Sequence, residues 1–141
     1  VTGMSRLEQI KAGDLLPERE FNTGNVQLFL YNAVLWNAHR IHFDLPYATE
    51  VEGYPGLVNA GPLMGDWLTQ CVNDWLGDDG RLKSLEYTNR KASIIGEKLR
   101  SGGRVLSTDT ESNSAELEVR IINEADEVIT PGTAIVCFNN P

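Results

Sequence analysis

Between Gly61 and Leu76 the apolar residues Leu63, Met64, Trp67, Leu68, Cys71, Val72, Trp75 and Leu76 recur as pairs every four residues. That spacing paints one broad apolar stripe along an α-helix. Asp66, Thr69, Gln70, Asn73 and Asp74 fill the remaining face, Pro62 suits the first helical position, and Gly77 suits the position that ends a helix. Two indole rings on one stripe require a wide apolar partner surface. A β-sheet wrapped around the helix supplies it.

After Gly80 the hydrophobic period changes. Leu82–Ile95, Arg104–Glu111, Ala115–Ile122 and Val128–Phe138 read as strands, separated by Ser101-Gly102-Gly103, Glu111-Ser112-Asn113 and Asn123-Glu124-Ala125-Asp126. In the third, Ala115, Leu117, Val119 and Ile121 alternate with Glu116, Glu118 and Arg120, the pattern of a half-buried strand. Short polar turns between consecutive strands imply a meander of antiparallel hairpins, with Gly96 as a bulge or break. Ahead of the long helix, residues 1–25 read as an irregular arm with at most one short strand around Arg19–Phe21, and Val26–Trp36 as a short helix. Asn37–Asn59 has no clear period and is long for a connection, which marks it as a functional loop. The expectation is a single α+β domain over residues 1–141, a central helix wrapped by an antiparallel sheet.

With 141 residues the chain has one domain's worth of core. Twelve Lys and Arg against twenty Asp and Glu leave a net charge of −8, with no basic run. Binding to nucleic acid or an anionic membrane is therefore disfavoured. No stretch reads as a membrane span or a secretory signal, so a cytoplasmic location is expected by default. Cys71 and Cys137 stand in no metal-like or redox-like spacing, and Cys71 on the helix stripe reads as a core residue.

The chain's two histidines, His39 and His42, fall together in Asn37-Ala38-His39-Arg40-Ile41-His42-Phe43-Asp44. A zinc site would need further ligands that the sequence does not offer. This stretch, with Gly53-Tyr54-Pro55-Gly56-Leu57-Val58-Asn59-Ala60-Gly61-Pro62-Leu63, resembles the MaoC-like hot-dog dehydratases and (R)-specific enoyl-CoA hydratases. Within them it is most similar to the mesaconyl-CoA hydratase and mitochondrial hydroxyacyl-thioester dehydratase branch, over about residues 10–138. The resemblance implies a hot-dog fold and the hydration of an enoyl-CoA thioester or its reversal, with no metal or redox cofactor. It also implies assembly as a homodimer or larger oligomer.

The broader family's motif is Asp-x-Asn-Pro-φ-His, φ being aliphatic. His42 matches it, whereas Asn37 stands in the place of the Asp and His39 in the place of the Asn. The departure marks either the mesaconyl-like branch or a subunit without activity. By this resemblance Asn37 and His42 position and activate water, while Gly61, at the helix start, offers a backbone N–H to the thioester oxygen. His39, Tyr54, Pro55 and Gly56 are the expected substrate contacts, and Arg90 and Lys91 lead the cations that could meet the phosphates of CoA. Asp44 beside Pro46 is expected to organise the loop. Two other readings stand beside this one: a hot-dog acyl-CoA thioesterase with Asp66 as base, and a non-catalytic acyl-CoA-binding subunit of a hetero-oligomer.

Overall fold

The computed structural model describes residues 4–140, so the first three residues of the expected arm lie outside it. The main elements, in order, are β1 (Leu15–Asn22), α1 (Asn25–Val34), α2 (Gly61–Leu76), β2 (Gly80–Tyr87), β3 (Lys98–Asp109), β4 (Ser114–Ile122) and β5 (Val128–Phe138). The strands form one sheet in the order β1-β3-β4-β5-β2, and every neighbouring pair is antiparallel. The α2 helix packs against all five strands.

The stripe on α2 does what its spacing predicts. Leu63, Met64, Trp67, Leu68, Cys71, Val72 and Leu76 are buried in one core with Leu99, Leu117, Val119, Ile121 and Val136 of the sheet. The helix stops at Gly77, whose φ of 58° lies in the region that favours glycine. In β4, Ala115, Leu117, Val119 and Ile121 are buried, as the alternation requires.

Four expectations need correcting. The N-terminal arm is not irregular throughout: β1 runs eight residues and forms a sheet edge against β3. A register shift between Leu16 and Arg19 hides its alternation, and its hold on the core comes from buried Leu16 and from Phe21, stacked on Trp67 at 4.2 Å between centroids. Ser101-Gly102-Gly103 is not a turn but the middle of β3, where β4 passes so close that a Cβ on Gly103 would lie 2.3 Å from the Glu118 carbonyl oxygen. The strand expected over Leu82–Ile95 ends at Tyr87, where the polar run Thr88-Asn89-Arg90-Lys91 begins and the partner strand offers Pro131, which has no N–H to continue the ladder. Finally, β2 pairs with β5 and not with β3, so only β3-β4-β5 is a meander.

The segment after β2 leaves the sheet but remains tied down. Thr88 and Arg90 donate their N–H groups to the carbonyls of Pro131 and Ile129, and Ile95 donates to Leu57. Asn59 in turn donates its N–H to the Ser93 carbonyl at 2.9 Å. The loop from residue 88 to 95 thereby lies along the loop that feeds α2.

Candidate active site

The chain leaves α1 through Trp36, whose φ is 54°, and is then folded by its own polar groups. Asn37 donates its N–H to the Asn32 carbonyl at 2.9 Å and accepts the His39 N–H on its side-chain oxygen at 3.1 Å. His39 Nδ1 accepts the Ile41 N–H at the start of a 3₁₀ turn, Arg40–His42. Arg40 is gripped by the Asp44 carboxylate through Nε at 2.9 Å and Nη2 at 2.7 Å, and lies 4.2 Å from the centre of the Tyr47 ring. The Arg40 guanidinium holds the Asp44 carboxyl below its ordinary range, and Asp44 Oδ1 accepts the Tyr47 N–H. Asp44 thus organises the loop.

This turn presents His42 inward, 7% exposed. Its Nδ1 lies 2.6 Å from the Val58 carbonyl oxygen, a bond that needs a proton on Nδ1. In the neutral ring, Nε2 then carries the free lone pair. Burial lowers the imidazole pKa below its usual value; the Val58 bond opposes that shift, and nearby His39 adds to it. The rings of His39 and His42 are 5.7 Å apart, but His39 itself is exposed.

His42 shares a pocket of about 240 Å³ with Asn59, Gly61, Met64 and the loop from Asn89 to Ser93. Gly61 is the first residue of α2, so its N–H has no partner within the helix and stands at the positive end of the helix dipole. A Cβ there would sit 2.5 Å from Asn89 Nδ2, so the bare Cα is what lets the Asn89 amide approach. Asn89 Oδ1 accepts the Thr130 hydroxyl at 3.0 Å. A second pocket of about 420 Å³ also has His42 on its wall, with Phe29, Phe43, Leu45, Gly56 and Leu57. The imidazole therefore stands between two pockets: the more polar one, at the helix start, carries the side chains of Asn59, Asn89, Arg90, Lys91 and Ser93 on its wall, and the more apolar one lies beneath α1.

Of the residues singled out from the sequence, His42, Gly61, Arg90 and Lys91 line the polar pocket and Gly56 the apolar one. Asn37, His39, Tyr54 and Pro55 line neither. Tyr54 is half-buried, its N–H bonded to the Ala48 carbonyl, and Pro55 is exposed. Lys91 is paired with Glu127, whereas Arg90 has no ion pair among the described residues. Asp66 is exposed, accepts the Tyr31 hydroxyl at 2.6 Å and lines neither pocket. Sequence reading missed Asn59, Asn89 and Ser93. They are polar residues in loops without periodicity, and nothing in the sequence says that these loops meet.

The family model described as hydroxyacyl-thioester dehydratase type 2 matches residues 5–95. Among curated proteins, the mesaconyl-C(4)-CoA hydratase of Chloroflexus aurantiacus is 62% identical over 45 residues, which is 32% of this chain and 16% of that protein. The match thus spans a small part of that relative's length. Among solved structures, the (R)-hydratase from A. caviae involved in PHA biosynthesis superposes with a TM-score of 0.86 at 14% identity, over 94% of this chain and 99% of that one. The ChsH1-ChsH2 complex of Mycobacterium tuberculosis gives a TM-score of 0.81 at 14% identity, over 92% and 98%. These likenesses show a shared architecture, the hot-dog fold, in which an antiparallel sheet wraps one long helix.

Proposed function

This chain belongs to the hydroxyacyl-thioester dehydratase type 2 family, and on that premise we propose that it adds water to an enoyl-CoA thioester, or removes it from the 3-hydroxyacyl-CoA. In the direction of hydration, the thioester carbonyl rests against the Gly61 N–H. His42 Nε2 takes one proton from a water as the water oxygen bonds to Cβ. The electron pair of the double bond moves to Cα and the carbonyl, giving an enolate whose negative oxygen is met by the Gly61 N–H and the α2 dipole. The imidazolium then returns its proton to Cα, so the base is regenerated and no atom is left over.

The observation that carries this reading is the shared wall: an imidazole fixed through Nδ1 on the Val58 carbonyl lines the same pocket as Gly61, whose N–H, the first of α2, has no partner within the helix. Asn37 supports it by folding the loop that presents the ring. Arg90, and Lys91 once released from its exposed partner Glu127, supply cations at the pocket for the phosphates of CoA. The apolar pocket on the other side of His42 suits the acyl chain. The chemistry calls on no metal or redox cofactor, CoA entering as part of the substrate. The placement of Asp66 outside both pockets gives a thioesterase reading no support.

For assembly we propose a homodimer. Each sheet ends in open edges at β1 and β2, and Val26, Leu30 and Val34 on α1, with Trp36 just beyond it, are exposed, a surface that a second copy would cover. No helix among the described residues is long and apolar enough to cross a membrane.

The test is loss of the conjugated enoyl-thioester absorbance over a panel of CoA substrates. His42→Ala is expected to lower the rate by about 10²–10⁴-fold, and equal rates in wild type and variant overturn the assignment. Protein that turns over no substrate alone and gains activity only with a second chain identifies the non-catalytic subunit instead.

A further inference from the structure

Water has two O–H bonds, and His42 Nε2 can accept only one of them. For the oxygen to attack in a fixed direction, a second acceptor has to hold the other. The sequence motif points to Asn37, but its side-chain oxygen is taken by the His39 N–H. Asn59 is the other amide to consider. It is 5% exposed, lines the pocket of His42 and Gly61, and follows Val58, whose carbonyl fixes the imidazole. Its Nδ2 donates to Ser93 Oγ at 3.0 Å and points toward the Ile94 carbonyl at 3.5 Å, while its own N–H is bonded to the Ser93 carbonyl. The amide is thereby held in one orientation, and Oδ1, the other arm of the same plane, has no partner among the described residues. Four buried side-chain atoms among the described residues lack a partner, and Asn59 is the one such residue that lines this pocket; a ligand or an ordered water satisfies an acceptor of this kind.

Resting on the reaction proposed above, we infer that Asn59 Oδ1 accepts the second O–H of the reacting water and, in the product, the 3-hydroxyl. An amide oxygen accepts a hydrogen bond but takes no proton at neutral pH, so Asn59 holds the O–H bond that survives the reaction while His42 handles the one that breaks. The rival donor for the same oxygen is an amide N–H of the pantetheine arm.

Calorimetry with 3-hydroxyhexanoyl-CoA and hexanoyl-CoA separates the two, because the probes share the pantetheine arm and differ only in the hydroxyl. Wild-type protein is expected to bind the hydroxylated probe about 10-fold more tightly. Asn59→Val is expected to erase that preference with the hexanoyl-CoA affinity unchanged, and to lower kcat on hexenoyl-CoA by about 100-fold with little change in KM. Asn59→Asp, which keeps Oδ1, retains the preference. Ser93→Ala, which frees the amide to turn, loses part of it and serves as a second variant should Asn59→Val fold poorly. Equal weakening of both probes by Asn59→Val assigns the oxygen to the pantetheine arm and overturns the inference, as does wild-type protein without preference between the probes. A preference that is present in wild type and lost in Asn59→Val, in protein that hydrates no enoyl thioester, sinks the dehydratase reading and leaves only the contact between Asn59 and the 3-hydroxyl standing.

Discussion

His42 keeps its neutral form to lower pH than a solvated histidine, chiefly because burial penalises the imidazolium. Two measurements follow from that direction. The acid limb of kcat/KM for hydration has its midpoint below 6.5, the ordinary histidine value, since the base works only while Nε2 is free. Between the folded-state pKa and 6.5 the unfolded chain binds more protons than the folded one, so stability falls as pH drops through that window. Denaturant unfolding at pH 7.5 and pH 5 is expected to show a smaller loss for His42→Asn than for wild type. An equal loss in both proteins would mean that the ring is not held neutral by its surroundings. Two histidines in one long loop invite a functional reading, but only the resemblance to the hot-dog dehydratases singled out His42 over His39; the structure puts His42 on the pocket wall and His39 outside it. The neighbouring Asn59 and Ser93 were not legible in the sequence, because a polar residue in a loop has no period to betray which way it points.

At the scale of elements, β3 carries the sharpest lesson. Ser101-Gly102-Gly103 reads as a turn because glycine relieves backbone strain there, but glycine also permits close approach, and the structure uses it for that. Replacing Gly103 with Ala would put a methyl group against the Glu118 carbonyl of β4, a backbone atom that cannot rotate away. A destabilisation of about 1–3 kcal/mol is expected, read as a lowered Tm; an unchanged melt would show that β3 and β4 do not approach as described. The α2 helix was legible because its stripe, start and stop signals agree and nothing in its surroundings opposes them. By contrast, β1 was nearly invisible. Its register shift breaks the alternation, and it is held by Leu16 and by the Phe21 ring on Trp67, contacts with partners far along the chain.

The molecule as a whole leaves one face unfinished. Val34 is 80% exposed and Trp36 92% exposed on and just beyond α1, beside a groove lined by Val26, Leu30 and Tyr31 with little polar surface. The proposed homodimer covers this face, so sedimentation is expected to give twice the chain mass, and Val34→Asp is expected to shift the protein toward monomer. A wild-type monomer at micromolar concentration would refute that arrangement. By itself the sequence determined the buried central helix, the α+β class, the strands from β4 onward and the histidine loop, because each of these is written in local periodicity or in residue chemistry. The tertiary structure alone decided the order of the strands, the inclusion of β1, and the meeting of the loop at residues 88–95 with the start of α2. Those depend on contacts between distant segments, whose free energy comes from burial and pairing in the assembled core and leaves no trace in any short window of residues.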